Sequence, residues 1–496
     1  MEAFVGIQIG GISFLDEGTE QVLDILQEKG AVNTLILCTH GFSRGVIGRQ
    51  LPGQPWPDHG KQERDTAIGG SYITVHPEYY RETCLPPFRA PDPEFEGVDI
   101  LAEVLPAAHR RGMRVYAWIY ENPAGKQPEV IPNWTKVSQV DCFGRRHRDP
   151  CFWNPNYRHW WLGILEDHLK SYDIDGVQYG SERRGPLVTV LQHGRGRRPP
   201  VRRPTPPGVP PGTQASASGS EAALMAGEGV PYCFCPFCRA EGRARGIDPE
   251  RAAEGYRRLY AFATRVDLGE QPVDGAFVTF WRILLRFPEI LAWEQLWHDG
   301  FEGLRKELYG AARAIAPDKP IGWHVWHQNS FSPIYRAENV FQEMWRYSGY
   351  LKPVVYHNCA GPRFHAYVHH LHRTILADVE PDVAYAFLSD VLHYDEAPLE
   401  DLPARGFSGE YVRRETARCV AAVREGGGEV PVYPGIDIDI PTGAGQKKTQ
   451  PEDVRAGIAG AFAGGASGVI LSRKYSEMWL RNLQAAGDTL RELGKA

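Results

Sequence analysis

Short apolar, β-branched runs recur along the chain, and after most of them apolar positions return every three or four residues. The first pattern fits strands buried on both faces, and the second fits amphipathic helices. Eight runs qualify as strands: FVGIQIG (4–10), VNTLILCTH (32–40), RVYAWIYEN (114–122), IDGVQYGSE (174–182), PIGWHVWHQN (320–329), YLKPVVYHN (350–358), VPVYPGIDIDI (430–440) and SGVILSRKY (467–475). Helical periodicity marks 19–30, 98–113, 157–172, 297–316, 335–349, 409–428 and 451–466. HRRGMRV (109–115) shows the junction in compact form: basic residues, a helix-ending Gly, then a strand.

This alternation predicts an α/β fold with a parallel sheet, and eight strands predict a (β/α)8 TIM barrel with long βα-loop insertions. A doubly wound open sheet is the alternative, but GIQIGGISFLDEG (6–18) lacks its G-x-G-x-x-G turn. The whole chain, 1–496, then reads as one barrel domain. Residues 40–95 form a turn-rich loop. Residues 188–230 are a mobile Pro/Arg/Ser-rich insertion, placed behind Glu182 where it would serve as a lid or as a plain surface excursion. Residues 245–318 form a helical insertion or subdomain.

Composition narrows the classes. Hydrophobic residues at 42% and charged residues at 23% fit a soluble globular protein, and no apolar run is long enough to span a membrane. A net charge of −6 gives no pull toward nucleic acid. Nine cysteines, an odd number in a long chain, do not read as a secreted disulfide framework. The opening MEAFVGIQIGG has no basic-then-apolar leader, so the expectation is a cytoplasmic protein, or one whose signal was removed. A homo-oligomer is compatible with all of this.

In this barrel class, working residues gather at the C-terminal ends of strands. Glu182 ends the fourth run, where burial favours a neutral carboxyl able to donate a proton near pH 7. An ion pair with Arg183 or Arg184 is the structural alternative. Asp437 and Asp439 alternate with three isoleucines, so an extended strand would aim both aspartates into the barrel mouth. Strands four and seven oppose each other across such a barrel, and paired carboxyls cleave glycosidic bonds. Asp439 then serves as nucleophile or base, with Asp437 supporting it. Candidate substrate contacts are His40, Tyr120, Glu121, Tyr179, Arg183, Trp323, His324, Trp326, His327, Lys352, Tyr356, His357, Asn358 and Arg473. Flat rings pack on the apolar face of a sugar, and the polar groups bond hydroxyls. Cys233, Cys235 and Cys238 form C-x-C-x-x-C, three soft ligands that suit structural zinc if Cys151 or Cys142 supplies a fourth. No cofactor is needed for the chemistry itself.

CFWNPNYR (151–158), IDGVQYGSE (174–182) and CFCPFCRAEGRARGID (233–248), in that order, resemble family-42-type β-galactosidases. WHVWHQNSFSPIYRAE (323–338), YLKPVVYHNCAGPR (350–363) and GVILSRKYSEMWLRNLQAAG (468–487) resemble uncharacterised bacterial glycosyl-hydrolase-like proteins. The resemblance implies a glycosidase acting on a carbohydrate, with Glu182 as proton donor and the cysteines as a zinc site. Ser181 replaces the usual Asn before the strand-four acid, and the strand-seven acid is Asp rather than Glu. Two other readings stand beside this one. One is a non-catalytic carbohydrate-binding barrel; the other is a metal-dependent hydrolase or lyase using His324, His327 and His357.

Overall fold

The computed structural model describes residues 3–63, 67–122, 127–192 and 229–496. Most of the predicted 188–230 insertion lies outside the described residues. All eight expected strands form: β1 (Phe4–Gly10), β2 (Thr34–Gly41), β3 (Arg114–Glu121), β4 (Gly176–Ser181), β5 (Ile321–Val325), β6 (Tyr350–Pro353), β7 (Gly435–Asp437) and β8 (Gly468–Ser472). Each pairs in parallel with its successor from β1 to β6, β7 pairs with β8, and β8 returns to β1. Parallel bridges Leu351–Val432 and Val354–Gly435 link β6 to β7, so the sheet is a nearly closed barrel.

The principal helices are α1 (Thr19–Gly30), α2 (Ile100–Arg110), α3 (Pro155–Ser171), α4 (Pro249–Asp267), α5 (Ala276–Arg286), α6 (Glu289–Ile315), α7 (His357–His372), α8 (Gly409–Glu425), α9 (Pro451–Ala463) and α10 (Leu480–Glu492). Packing of α8 on α9, α9 on α10, α10 on α1 and α1 on α2 builds the outer ring, with α6 against α3 on the far side. Asp99 caps α2 by accepting the Leu101 and Ala102 amides, and Asn154 caps α3 by accepting from Asn156.

The helix expected over 335–349 is broken into Pro333–Glu338, Phe341–Met344 and a 3-10 turn at Trp345–Tyr347. Its periodicity is real, but the Asn329 side-chain amide takes the Asn339 carbonyl at 2.9 Å, which ends the helical ladder there. Among the described residues no helix is long and apolar enough to cross a membrane.

Strand parity divides the residues into two layers. At the lower end of the barrel, Phe4, Tyr116, Tyr350 and Tyr433 pack ring against ring, with Phe4 stacked on Tyr433 at 4.1 Å. Higher up, glycine makes room for bulk. A Cβ on Gly180 would lie 2.6 Å from the Tyr120 ring, and one on Gly435 would lie 2.7 Å from Lys352 Cε. The interior can therefore hold a lysine and several rings at the level just below the mouth.

Candidate active site

The tip of β4 carries Glu182, whose side chain keeps 18% exposure. His324, inward on β5, lies with Nε2 3.0 Å from Glu182 Oε1. Beneath it, the Lys352 Nζ contacts His324 Nδ1 at 3.1 Å, Gln8 Oε1 at 3.0 Å and the Tyr356 hydroxyl at 2.9 Å. A polar column thus climbs from β1 and β6 through β5 to the rim of β4.

Protonation follows from these partners. Burial, with the nearby Lys352, pulls His324 down to about 4, so its ring is neutral at physiological pH. A neutral imidazole donates through one nitrogen and accepts through the other. Lys352 supplies hydrogen to Nδ1, which leaves Nε2–H to donate to Glu182. Burial also drives Lys352 well below the usual ammonium range.

Glu182 departs from expectation. Burial alone would raise its pKa, but hydrogen bonds from His324 and Tyr120 and the charge of Arg363 outweigh it, and the carboxyl titrates below its ordinary value. These partners favour the carboxylate over the neutral acid expected at a buried strand end. Arg183 does not neutralise it. Arg183 points the other way, donating to Glu121 at 2.9 Å and the Pro150 carbonyl at 3.2 Å, and lying over the Phe152 ring.

Asp437 and Asp439 do not share a face. β7 ends at Asp437, and Asp439 takes a left-handed backbone with φ of 59°, which cancels the expected alternation. Asp437 is fully buried and accepts the Cys359 and Ile440 amides and the Thr449 hydroxyl. It therefore fixes β7 to the first turn of α7, where a carboxylate is favoured by the helix dipole. Burial raises its pKa. Asp439 accepts the Trp479 amide at 2.8 Å and the Asn482 side-chain amide, and burial pushes it up to about 7. It lines a separate cavity of about 280 Å³ with Gln50, Lys448, Glu477, Trp479 and Arg481, and Glu182 is not on that wall.

The other sequence candidates divide by parity. Tyr120, His324, Lys352 and Tyr356 belong to the column. Trp326 is half-buried at the rim, with the Arg184 guanidinium 5.1 Å above its ring. His327 is buried between the Tyr411 hydroxyl at 2.9 Å and Arg363 at 2.8 Å. His357 bonds the Asp453 carbonyl, Asn358 donates to Thr449, and Arg473 pairs with Glu477. Four others face the surrounding helices. Tyr179 packs between Trp161 and Trp323, and Trp323 donates to the Tyr347 carbonyl. His40 bonds Ser71 and packs on Trp160 and Trp161, and Glu121 accepts from Tyr157, Ser181 and Arg183. His324, His327 and His357 do not converge as metal ligands among the described residues.

Arg363 is a residue of this neighbourhood that the sequence candidates do not include. It sits on α7 seven residues beyond Tyr356, where its charge attracts Glu182 and Asp437 and opposes that of Arg473. Its signal is its place two turns into the helix that starts just beyond Tyr356.

The cysteine sulfurs do gather. Those of Cys151, Cys233, Cys235 and Cys238 lie within 4.8 Å of one another, with Cys151 Sγ 3.4 Å from both Cys235 Sγ and Cys238 Sγ. Cys142 lies elsewhere, its carbonyl held by Arg257.

No family model and no curated protein matches this chain. Solved structures do. The β-galactosidase of the Antarctic haloarchaeon Halorubrum lacusprofundi aligns with 99% of this chain and 58% of its own length, at TM-score 0.51 and 13% identity. An α-L-fucosidase isoenzyme from Paenibacillus thiaminolyticus aligns over 100% of this chain and 49% of its own, at 0.44 and 12%. The PgaB glycoside hydrolase domain of Bordetella bronchiseptica aligns over 99% of each, at 0.47 and 12%. The chain thus spans about half the length of the fucosidase it matches. The strand pairing, with the likeness to the haloarchaeal structure, shows the class: an α/β protein with the (β/α)8 barrel. More particularly, it shares that barrel fold with the haloarchaeal β-galactosidase.

Proposed function

We propose that this chain is a glycosidase whose reacting carboxylate is Glu182, with a carbohydrate bound at the C-terminal mouth of the barrel. The observation that carries the proposal is the His324 and Tyr120 hydrogen bonding that holds Glu182 ionised at a partly open rim. An ionised carboxylate there suits attack on, or charge stabilisation of, an anomeric carbon that becomes cationic in the transition state. His324 keeps that carboxylate aimed, and Lys352 fixes the tautomer of His324. Arg363 offsets its charge, and Trp326 offers a ring face at the rim.

Hydrolysis of a panel of aryl glycosides tests the activity. Glu182→Gln should abolish turnover while retaining sugar binding. Azide added to Glu182→Gly separates the roles: a glycosyl azide of inverted configuration identifies the nucleophile, and a retained one identifies the acid/base. Unchanged turnover in Glu182→Gln would remove Glu182 from the mechanism. The saturated hydrogen bonding of Asp437, together with the separate cavity of Asp439, favours a second reading, a carbohydrate-binding barrel without turnover. Sugar binding with no hydrolysis across the panel would select it.

The four cysteines are proposed to hold structural zinc. Zinc–thiolate bonds of ~2.3 Å in a tetrahedron set sulfurs roughly 3.8 Å apart, close to the spacing of these thiols. With four sulfur ligands, zinc would have no open position, and its contribution would be to tie the Cys151 turn to the segment at Cys233–Cys238.

A further inference from the structure

Away from the barrel mouth, α7 carries a second cluster. His365 and His369 stand one turn apart in HAYVH (365–369), their Nε2 atoms 3.1 Å apart and their ring centroids 4.3 Å apart. Glu400 reaches them from the Leu399–Asp401 turn, and three donor atoms, one from each residue, lie within 4.8 Å of one another.

Metal bonds of ~2.0–2.1 Å to imidazole nitrogen place two ring nitrogens roughly 3.0–3.4 Å apart on one ion. The observed spacing already falls in that range, so no rearrangement of α7 is needed. Two imidazoles with one carboxylate select a borderline transition ion over calcium or magnesium, which prefer oxygen alone. Arg373 and His372 lie near His369 and oppose added positive charge, while Glu400 favours it. Ala366 stands where a helical zinc hydrolase motif would carry its glutamate base, so the cluster has no hydrolytic machinery of that kind.

We propose that His365, His369 and Glu400 bind one divalent ion of the zinc class, with water completing its sphere. The ion fastens α7 to the Leu399–Asp401 turn. Arg363, two residues before His365, bonds His327 and attracts Glu182, so the ion stiffens the helix that presents this arginine to the mouth.

Cobalt tests the site on the full chain after dialysis against a chelator. Co²⁺ at a histidine–carboxylate site gives weak visible bands, whereas Co²⁺ on thiolates gives intense near-ultraviolet charge transfer. The expected result is one equivalent showing the weak bands, competed by Zn²⁺, lost in His365→Asn and in His369→Asn, and weakened in Glu400→Gln. Thermal melts without metal should be the same for wild type and variants, with wild type gaining more stability than the histidine variants on adding Zn²⁺, since both keep the cysteine cluster. Cobalt binding unchanged in both histidine variants, or thiolate bands alone in wild type, would overturn the assignment. The cysteine site and the glycosidase reading are unaffected by either outcome.

Discussion

Replacing His324 by Phe removes the donor that holds Glu182 ionised, while leaving a ring of similar size. A hydrogen bond to a charged group contributes about 1.5–3 kcal/mol, and one pKa unit corresponds to about 1.36 kcal/mol. With that bond gone, burial is no longer fully opposed, and the Glu182 pKa should rise by about 1–2 units. The sign for stability follows. In wild type the pKa is depressed, so Glu182 adds stability above its unfolded value, and this is lost as pH falls through the folded pKa. In His324→Phe that contribution disappears. The assay is a ¹³C carboxyl titration, with Glu182→Gln identifying the resonance, alongside the acid limb of the pH–rate profile on an aryl glycoside. Both should move to higher pH together. His324→Gln, which keeps a donor amide, should shift them less. A Glu182 titration that stays in place, or moves down, in His324→Phe would refute the role given to the column.

Three further outcomes follow from the same geometry. Asp439→Asn should leave glycoside turnover within about twofold of wild type, since Asp439 faces another cavity and Asn tolerates its left-handed backbone; a loss of orders of magnitude would return Asp439 to the mechanism. Glu294 and Glu338 face each other in a buried pair; burial raises Glu294 to about 7, and burial with the neighbouring Glu294 raises Glu338 to about 10, both above the unfolded range. Raised carboxyl pKa values mean that stability falls as pH climbs from the unfolded value toward the folded ones. Glu338→Gln should therefore raise Tm at pH 8 and flatten its pH dependence, checked by thermal melts across pH. Cys238→Ser should reduce zinc content measured by mass spectrometry and lower Tm, and zinc absent from wild type would end the structural-zinc proposal.

The barrel was legible because its strands are buried on both faces and read as continuous apolar runs, as LILC on β2 and VIL on β8 do. The mouth was less so, because its candidates were taken by position along the chain without strand parity. Once Glu182 points inward, Gly180 and Gln178 must as well, which turns Tyr179, Ser181 and Arg183 toward the helices. That assignment needs only the period of two. Asp439 was of another kind: nothing in GIDIDI announces that the strand stops at Asp437 and the backbone turns left-handed two residues on. Arg363 escaped because its helix starts in the loop after β6, not in the outer ring. Cys151 was the reverse case: the chemistry of soft ligands asks for a fourth sulfur and leaves Cys151 and Cys142 as candidates, and the fold brings Cys151 to the other three.

The thiol cluster and the rim acid are joined by a short mechanical linkage. Cys151 succeeds Pro150, whose carbonyl is gripped by Arg183, the immediate neighbour of Glu182. Phe152, on the other flank of Cys151, underlies that same guanidinium. Both flanks of Cys151 thus bear on the arginine that stands beside the rim acid. A displacement at the cysteines would therefore reach the rim through two flanking residues, without passing through the barrel strands.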